Sequence, residues 1–412
     1  MRRLTTLAPV ALAGALTVAS PAAAQPAGGP PAGARLAVRA ENPAAVARPD
    51  ETVALAWAAV ARGLPGAAPA RVRVVDAGTG RELPSQAFDA DADGAPDSLL
   101  FQADFRPREA RAFAVEPLAP AAPYAPRTFA RHDDPRDDVA WESDRIAWRV
   151  YGQGLKKTSS AMSSSGVDVW VKRTRDLVVD RWYKKGHDEY HVDTGEGADF
   201  YDVGETLGAG GTAVWRDGRM YRADNFTRWR ILANGPVRTV FELEYPEWDA
   251  GGLRVRETKR VSMDAGANFF RQESTFRGGD GAAEIPYVIG ELKRPGMVGT
   301  TSRAHAWAWL TGWGPVSPKK GGHGELGTAV LLPRDRVLDW KETADHYLAV
   351  TRAAPGVPVV HYVGAGWTDS GDFRDVRDWW HYLDDLAERL ATPVRVTVRV
   401  TAGGAATSAA AR

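Results

Sequence analysis

The chain has 412 residues, and its 52 lysines and arginines are balanced by 52 aspartates and glutamates, so it carries no formal net charge. Charges of both signs are interleaved and no basic tract occurs, which excludes the electrostatic footprint that nucleic acid or an anionic lipid surface would require. There is no cysteine, so thiol catalysis, disulfides and Cys-ligated zinc are excluded and stability must come from buried apolar area.

Met1-Arg2-Arg3, an apolar run over residues 4–18 and the small residues before Gln25 have the three parts of a secretory signal peptide, predicted to span residues 1–24. The apolar run is too short to span a membrane, and no later run approaches the roughly 20 apolar residues that a span needs. The expected location is therefore the periplasm or the extracellular space, with no membrane partner.

Residues 36–117 alternate as strands do, at 52–57, 70–75 and 110–115, between Gly/Pro/Asp turns, which predicts a β-sandwich of immunoglobulin-like size. A Pro/Ala-rich linker follows over 118–137, because proline lacks the N–H that a ladder needs. From 138 to 401 many segments of period two predict two large antiparallel sheets packed face to face. The expected fold class is all-β, with one short C-terminal helix over 375–390 carried by Val376, Trp379, Trp380, Leu383, Leu386 and Leu390 at helical spacing. Residues 402–412 read as a disordered tail.

Asp89-Ala90-Asp91-Ala92-Asp93-Gly94-Ala95-Pro96-Asp97 spaces oxygen ligands as calcium sites do, but Leu100 stands where an EF-hand has its closing Glu, and the segment reads better as a polar turn. The densest polar stretch is 183–202, with two His, two Lys, three Tyr and several carboxylates. It contains Lys185, Tyr190, His191, Glu196 and Asp199, and runs into the Gly-rich 207–211, where backbone can approach a ligand. Metal binding by His191 with Asp193, Glu196 or Asp199 is chemically feasible, yet the spacing matches no known site, so neither metal nor cofactor is expected.

His305, Trp307 and Trp309 alternate with alanines, so a strand there collects the bulky side chains on one face, either as a sugar-stacking platform or as core. Fifteen tryptophans in an exported β protein favour carbohydrate, whose C–H faces stack on indoles. Two Gly-framed loops add His323 and Trp367, the second lining the same cleft or capping the helix through Asp372.

The run Tyr190-His191, Thr194-Gly195-Glu196-Gly197-Ala198-Asp199-Phe200-Tyr201, Gly204 and Leu207-Gly208-Ala209-Gly210, followed by Ile231-Leu232-Ala233-Asn234-Gly235-Pro236-Val237-Arg238, resembles the bacterial family called domain of unknown function 4861, over about residues 36–400. The resemblance implies a secreted protein that works beside enzymes degrading uronic-acid polysaccharides such as ulvan and pectin, a galactose-mutarotase-like super-sandwich, and an oligosaccharide dehydratase activity. Eliminating water across C4 and C5 of a terminal uronic acid needs a base, an acid and a cation for the carboxylate, but no redox cofactor. The candidate proton-transfer groups are His191 with Tyr190 or His323. Arg222 or Lys185 is the candidate carboxylate partner, and Glu196, Asp199, Trp307, Trp309 and Trp367 complete the expected binding site for an oligosaccharide. Two other readings stand beside it: a glycoside hydrolase using Glu196 and Asp199, and a sugar-binding protein without catalysis. Oligomeric state stays open.

Overall fold

A computed structural model describes residues 34–118, 123–157, 165–317, 321–402 and 405–408. The predicted signal peptide lies outside them. The described chain is built of antiparallel sheets with three α-helices.

The N-terminal sandwich packs a six-stranded sheet on a three-stranded one. Alternation makes its core: Leu36, Val38 and Ala40 from one strand and Phe113 and Val115 from its neighbour face Val53, Leu55, Phe101 and Phe105 from the second sheet. The strand Arg395–Ala402, expected to close the larger domain, belongs here instead. It pairs with Arg35–Glu41 from Arg35↔Thr401 to Glu41↔Arg395, and Val396, Val398 and Val400 pack on the N-terminal core. The pairing satisfies a ladder edge of Arg35–Glu41 that would otherwise stay open. Residues 405–408, expected in the disordered tail, pair with it in turn.

The larger unit is a sandwich in which a nine-stranded sheet faces two five-stranded sheets. One five-stranded sheet holds Thr128–Asp133, Asp138–Ser143, Ile146–Tyr151, Asp168–Lys172 and Gly197–Ala198, and the other is centred on Ala209–Arg216, Ile285–Leu292 and His346–Ala353. Trp141 and Trp148 meet Phe270 edge-on across the layer, at 5.2 and 4.9 Å between ring centroids. The two smaller sheets are stitched by a parallel bridge between Val167 and Gly208. Gly208 has φ of 57°, and a Cβ there would lie 2.1 Å from the Val167 carbonyl oxygen, so no other residue fits.

Three helices are present where one was expected. Helix α1 (Trp57–Gly63) and helix α2 (Val179–Lys185) are seven residues each, too short to announce themselves by periodicity. Helix α3 (Val376–Ala391) is the predicted one, with the Asp375 side chain accepting from the amides of Arg377 and Asp378 rather than Asp372 serving as cap. Its buried Trp379, Leu383 and Ala387 lie on Phe269, Trp309, Trp313 and Leu331, on the outer face of the nine-stranded sheet. In the Asp89–Asp97 loop the carboxylates act as turn acceptors: Asp89 takes the amides of Ala92 and Gly94, and Asp97 that of Ala90.

Candidate active site

Three neighbouring strands of the first five-stranded sheet send Val139 and Trp141, Trp148 and Val150, and Val169 and Val171 into the main core. Period two then commits Asp138 and Glu142, Arg149 and Tyr151, and Asp168 and Lys172 to the opposite face. That face is covered by α2 and the loop after it, so all of these charges are buried and each must be compensated.

Glu142 binds Lys172 at 2.8 Å and accepts the amides of Val178 and Val179, capping α2 from a strand. Arg149 is the second anchor. It donates to Asp168 at 2.7 Å and to Asp199 at 3.0 Å through Nη2, and to the Tyr190 hydroxyl at 2.9 Å through Nη1. Asp138, which accepts from Tyr183 at 2.7 Å, is pushed up to about 6 by burial, against the pull of Arg149. Burial likewise raises the Tyr190 phenol despite the Arg149 guanidinium beside it, so the hydroxyl keeps its proton.

The loop that Arg149 holds presents two histidines. His187 Nδ1 is 2.7 Å from the Tyr190 hydroxyl, His191 Nδ1 is 2.6 Å from the Asp199 carbonyl oxygen, and the two rings stand perpendicular at 4.9 Å. Gly197 joins the sheet where a Cβ would lie 2.0 Å from the Val171 carbonyl oxygen, which explains a glycine at this point of the 190–210 run.

The same loop then reaches a more open rim. Arg173 follows the buried Lys172, donates to Asp193 at 2.8 Å and to Asp369 at 3.3 Å, and lies over the Trp367 ring at 4.5 Å. His323, with 47% of its side chain exposed, sits between the two carboxylates: Nδ1 is 2.7 Å from Asp369 and Nε2 is 3.3 Å from Asp193. Trp367 donates from Nε1 to the His323 carbonyl oxygen at 2.8 Å and so fixes this loop. Against partial burial, Arg173 and the amides of Gly195 and Gly197 hold Asp193 below the usual carboxylate range, and bonds from His323, Thr368 and Arg173 do the same for Asp369. Arg173 Nη2 also lies 3.1 Å from His323 Nε2, so the imidazole is flanked by two carboxylates and a guanidinium, a set of donors and acceptors that can serve proton transfer.

Of the residues nominated from sequence, Tyr190, His191 and Asp199 share the inner cluster, while His323 and Trp367 share the rim, and Asp193 links the two through one loop. Lys185 and Glu196 do not join them: they pair at 3.3 Å, and Glu196 also binds Arg181 and the Trp182 indole, tying the loop to α2. Arg222 lies on the edge strand of the other five-stranded sheet, in a depression shared with Tyr221, Trp248 and Asp249. The platform expected at Trp307 and Trp309 is a packing face beneath α3, where Trp309 donates to Asp384 at 2.9 Å.

Sequence reasoning passed over Arg149, Asp168, Arg173, His187 and Asp369. The available signal was charge at alternate strand positions, as in Arg149-x-Tyr151 and Asp168-x-Trp170-x-Lys172, but that pattern also describes a solvated strand face.

The fold comparison places two Enterococcus faecalis structures beside this chain: a protein in glycosyl hydrolase family 38 (TM-score 0.49, 11% identity, 90% of this chain and 48% of that one) and an alpha-mannosidase (TM-score 0.48, 11% identity, 90% and 46%). The chain thus spans about half the length of either. In sequence it is 30% identical over 346 residues to uncharacterized protein P7 of Formosa agariphila, covering 79% of this chain and 84% of that protein. With the family model matching residues 40–396, the chain belongs to the family described as domain of unknown function (DUF4861).

Proposed function

We propose that this chain is an exported carbohydrate-active enzyme that eliminates water from the terminal uronic acid of an oligosaccharide. The observation that carries the reading is the rim itself: His323 between Asp193 and Asp369, beside Arg173 and the Trp367 ring, with Asp193 supplied by the loop that also holds Tyr190 and His191.

In this reading His323 takes the C5 proton, and Asp369 neutralises the imidazolium that results. The C5–H electron pair forms the C4–C5 double bond, the C4–O bond breaks with its electron pair going to O4, and O4 leaves as water on taking a proton from protonated His191. Arg173 faces the sugar carboxylate, whose charge rises as the proton departs. Such an elimination balances without an oxidant or reductant.

The test is to incubate the mature protein with short saturated uronic-acid oligosaccharides and follow ultraviolet absorbance with product mass. Loss of one water without chain cleavage is expected, and His323→Ala and His191→Ala each lower the rate by about 10²–10⁴-fold while leaving the melting temperature unchanged. A double bond with chain cleavage would make it a polysaccharide lyase, and cleavage with water gained a hydrolase. Binding without turnover would leave a sugar-binding protein.

A further inference from the structure

A cavity of about 270 Å³ lies away from the rim, where the N-terminal sandwich meets the outer face of the nine-stranded sheet and the last turns of α3. It shares no lining residue with the His323 cluster.

Its chemistry has two parts. Phe269, Tyr362 and Tyr382 line it; Phe269 and Tyr382 are stacked on each other at 5.9 Å, 25° from parallel, and the Arg389 guanidinium lies over the Tyr382 ring at 5.6 Å, so the aromatic side of the cavity is rigid. Asp50, Glu51 and Asp264 line it together with Arg238, Arg271 and Arg389, three carboxylates to three guanidiniums. Most are locally paired: Arg238 with Asp264 at 2.8 Å, Glu51 with Arg48 at 2.9 Å, Asp50 with Arg127 at 3.1 Å, and Arg271 with Glu273. Arg389 brings a buried Nε with no hydrogen-bond partner among the described residues.

The ligand class follows from these facts. Cancelling charges leave no net field for an anion, while paired guanidiniums and carboxylates still offer donor and acceptor edges close together, as a ring of hydroxyls requires. An aromatic wall suits the C–H face of the same ring. The volume lies near the lower end of small-molecule sites, roughly 300 Å³, and so suits one sugar unit rather than a chain. We propose that this cavity is a binding site for a single neutral sugar residue, distinct from the rim and independent of the elimination chemistry assigned there.

Saturation-transfer NMR and calorimetry on the mature protein, with methyl glycosides of galactose, mannose, xylose and rhamnose against galacturonate and glucuronate, test the assignment. At least one neutral glycoside is expected to bind, with His323→Ala leaving its affinity unchanged. Ser262→Trp, which fills the cavity from the strand Arg254–Asp264, abolishes that binding, and Tyr382→Ala weakens it by about tenfold, decided by the second variant alone if the first does not fold. Absence of binding by every neutral glycoside would overturn the proposal. So would affinity that survives both substitutions, or binding here of the uronates in preference.

Discussion

Helix α2 with its following loop and helix α3 each cover the outer face of a sheet with aromatic rings, but the face under α2 buries paired charges as well. Under α2 Trp182 and Tyr190 stack on Trp170 at 5.7 and 5.1 Å, and buried charges lie beside these rings: Glu142 with Lys172, and Arg149 with Asp168, Asp199 and the Tyr190 hydroxyl. Under α3 the rings stand without such charges: Trp379 and Tyr382 of the helix both stack on Phe269 of the sheet, at 5.8 and 5.9 Å, and the Trp379 indole donates to Thr311. Hydrogen bonds from a planar guanidinium are directional and weaken steeply as an acceptor leaves the plane of its donors, whereas stacked rings tolerate sliding. The directional bonds under α2 therefore fix the orientation of the loop that carries His187 and His191, while stacking and apolar contact hold α3.

The largest expected effect breaks the charged face. Arg149→Ala strands Asp168 and Asp199 without their cation and should cost about 3–5 kcal/mol in urea unfolding, together with loss of turnover; Arg149→Lys should fail to restore it because an ammonium cannot bind both carboxylates and the phenol in one plane. Trp379→Ala should also cost about 3–5 kcal/mol through the cavity it leaves, yet turnover per folded molecule should persist; turnover lost along with stability would mean that the aromatic face shapes the site as well.

Protonation separates the two faces at a smaller scale. The Asp138 carboxyl is raised from 3.8 to about 6 in the folded chain, so between those values the native state keeps a proton that the unfolded state has lost. Its contribution is fully present below the unfolded value and disappears as pH rises through about 6, on the order of 2–3 kcal/mol. Asp138→Asn should remove that pH dependence from the unfolding free energy, while the cost of Trp379→Ala should be the same at acid and neutral pH. The smallest effect is at the α3 cap: Asp375→Ala should lower stability by about 1 kcal/mol without changing turnover, as two amides lose an acceptor.

How far the chain could be read in advance differs by region for the same reason. Helix α3 was legible because its apolar stripe lies within one segment of sequence, although its cap is Asp375 and not Asp372. Helix α2 was not, because its cap is Glu142, more than thirty residues earlier. The loop at 183–202 stood out by composition, and Tyr190 and His191 were found with it. Their anchor Arg149 was hidden, because a strand with charges on one side looks the same whether water or another element covers that side. Trp307 and Trp309 pointed the other way: indoles on one strand face fit sugar or core equally, and α3 decided for core.

By itself, the amino-acid sequence determined what depends on neighbours along the chain: an all-β class from period-two alternation, helix α3 from its apolar stripe, and a polar Gly-framed loop carrying Tyr190 and His191. Only the tertiary structure decided what depends on partners far apart in sequence. It placed Arg395–Ala402 beside Arg35–Glu41, brought His323 and Asp369 to Asp193, and buried Arg149 among its acceptors. A backbone edge, a buried charge and an imidazole each require a complement, and in this fold the complement is supplied by a strand or loop that local pattern does not name.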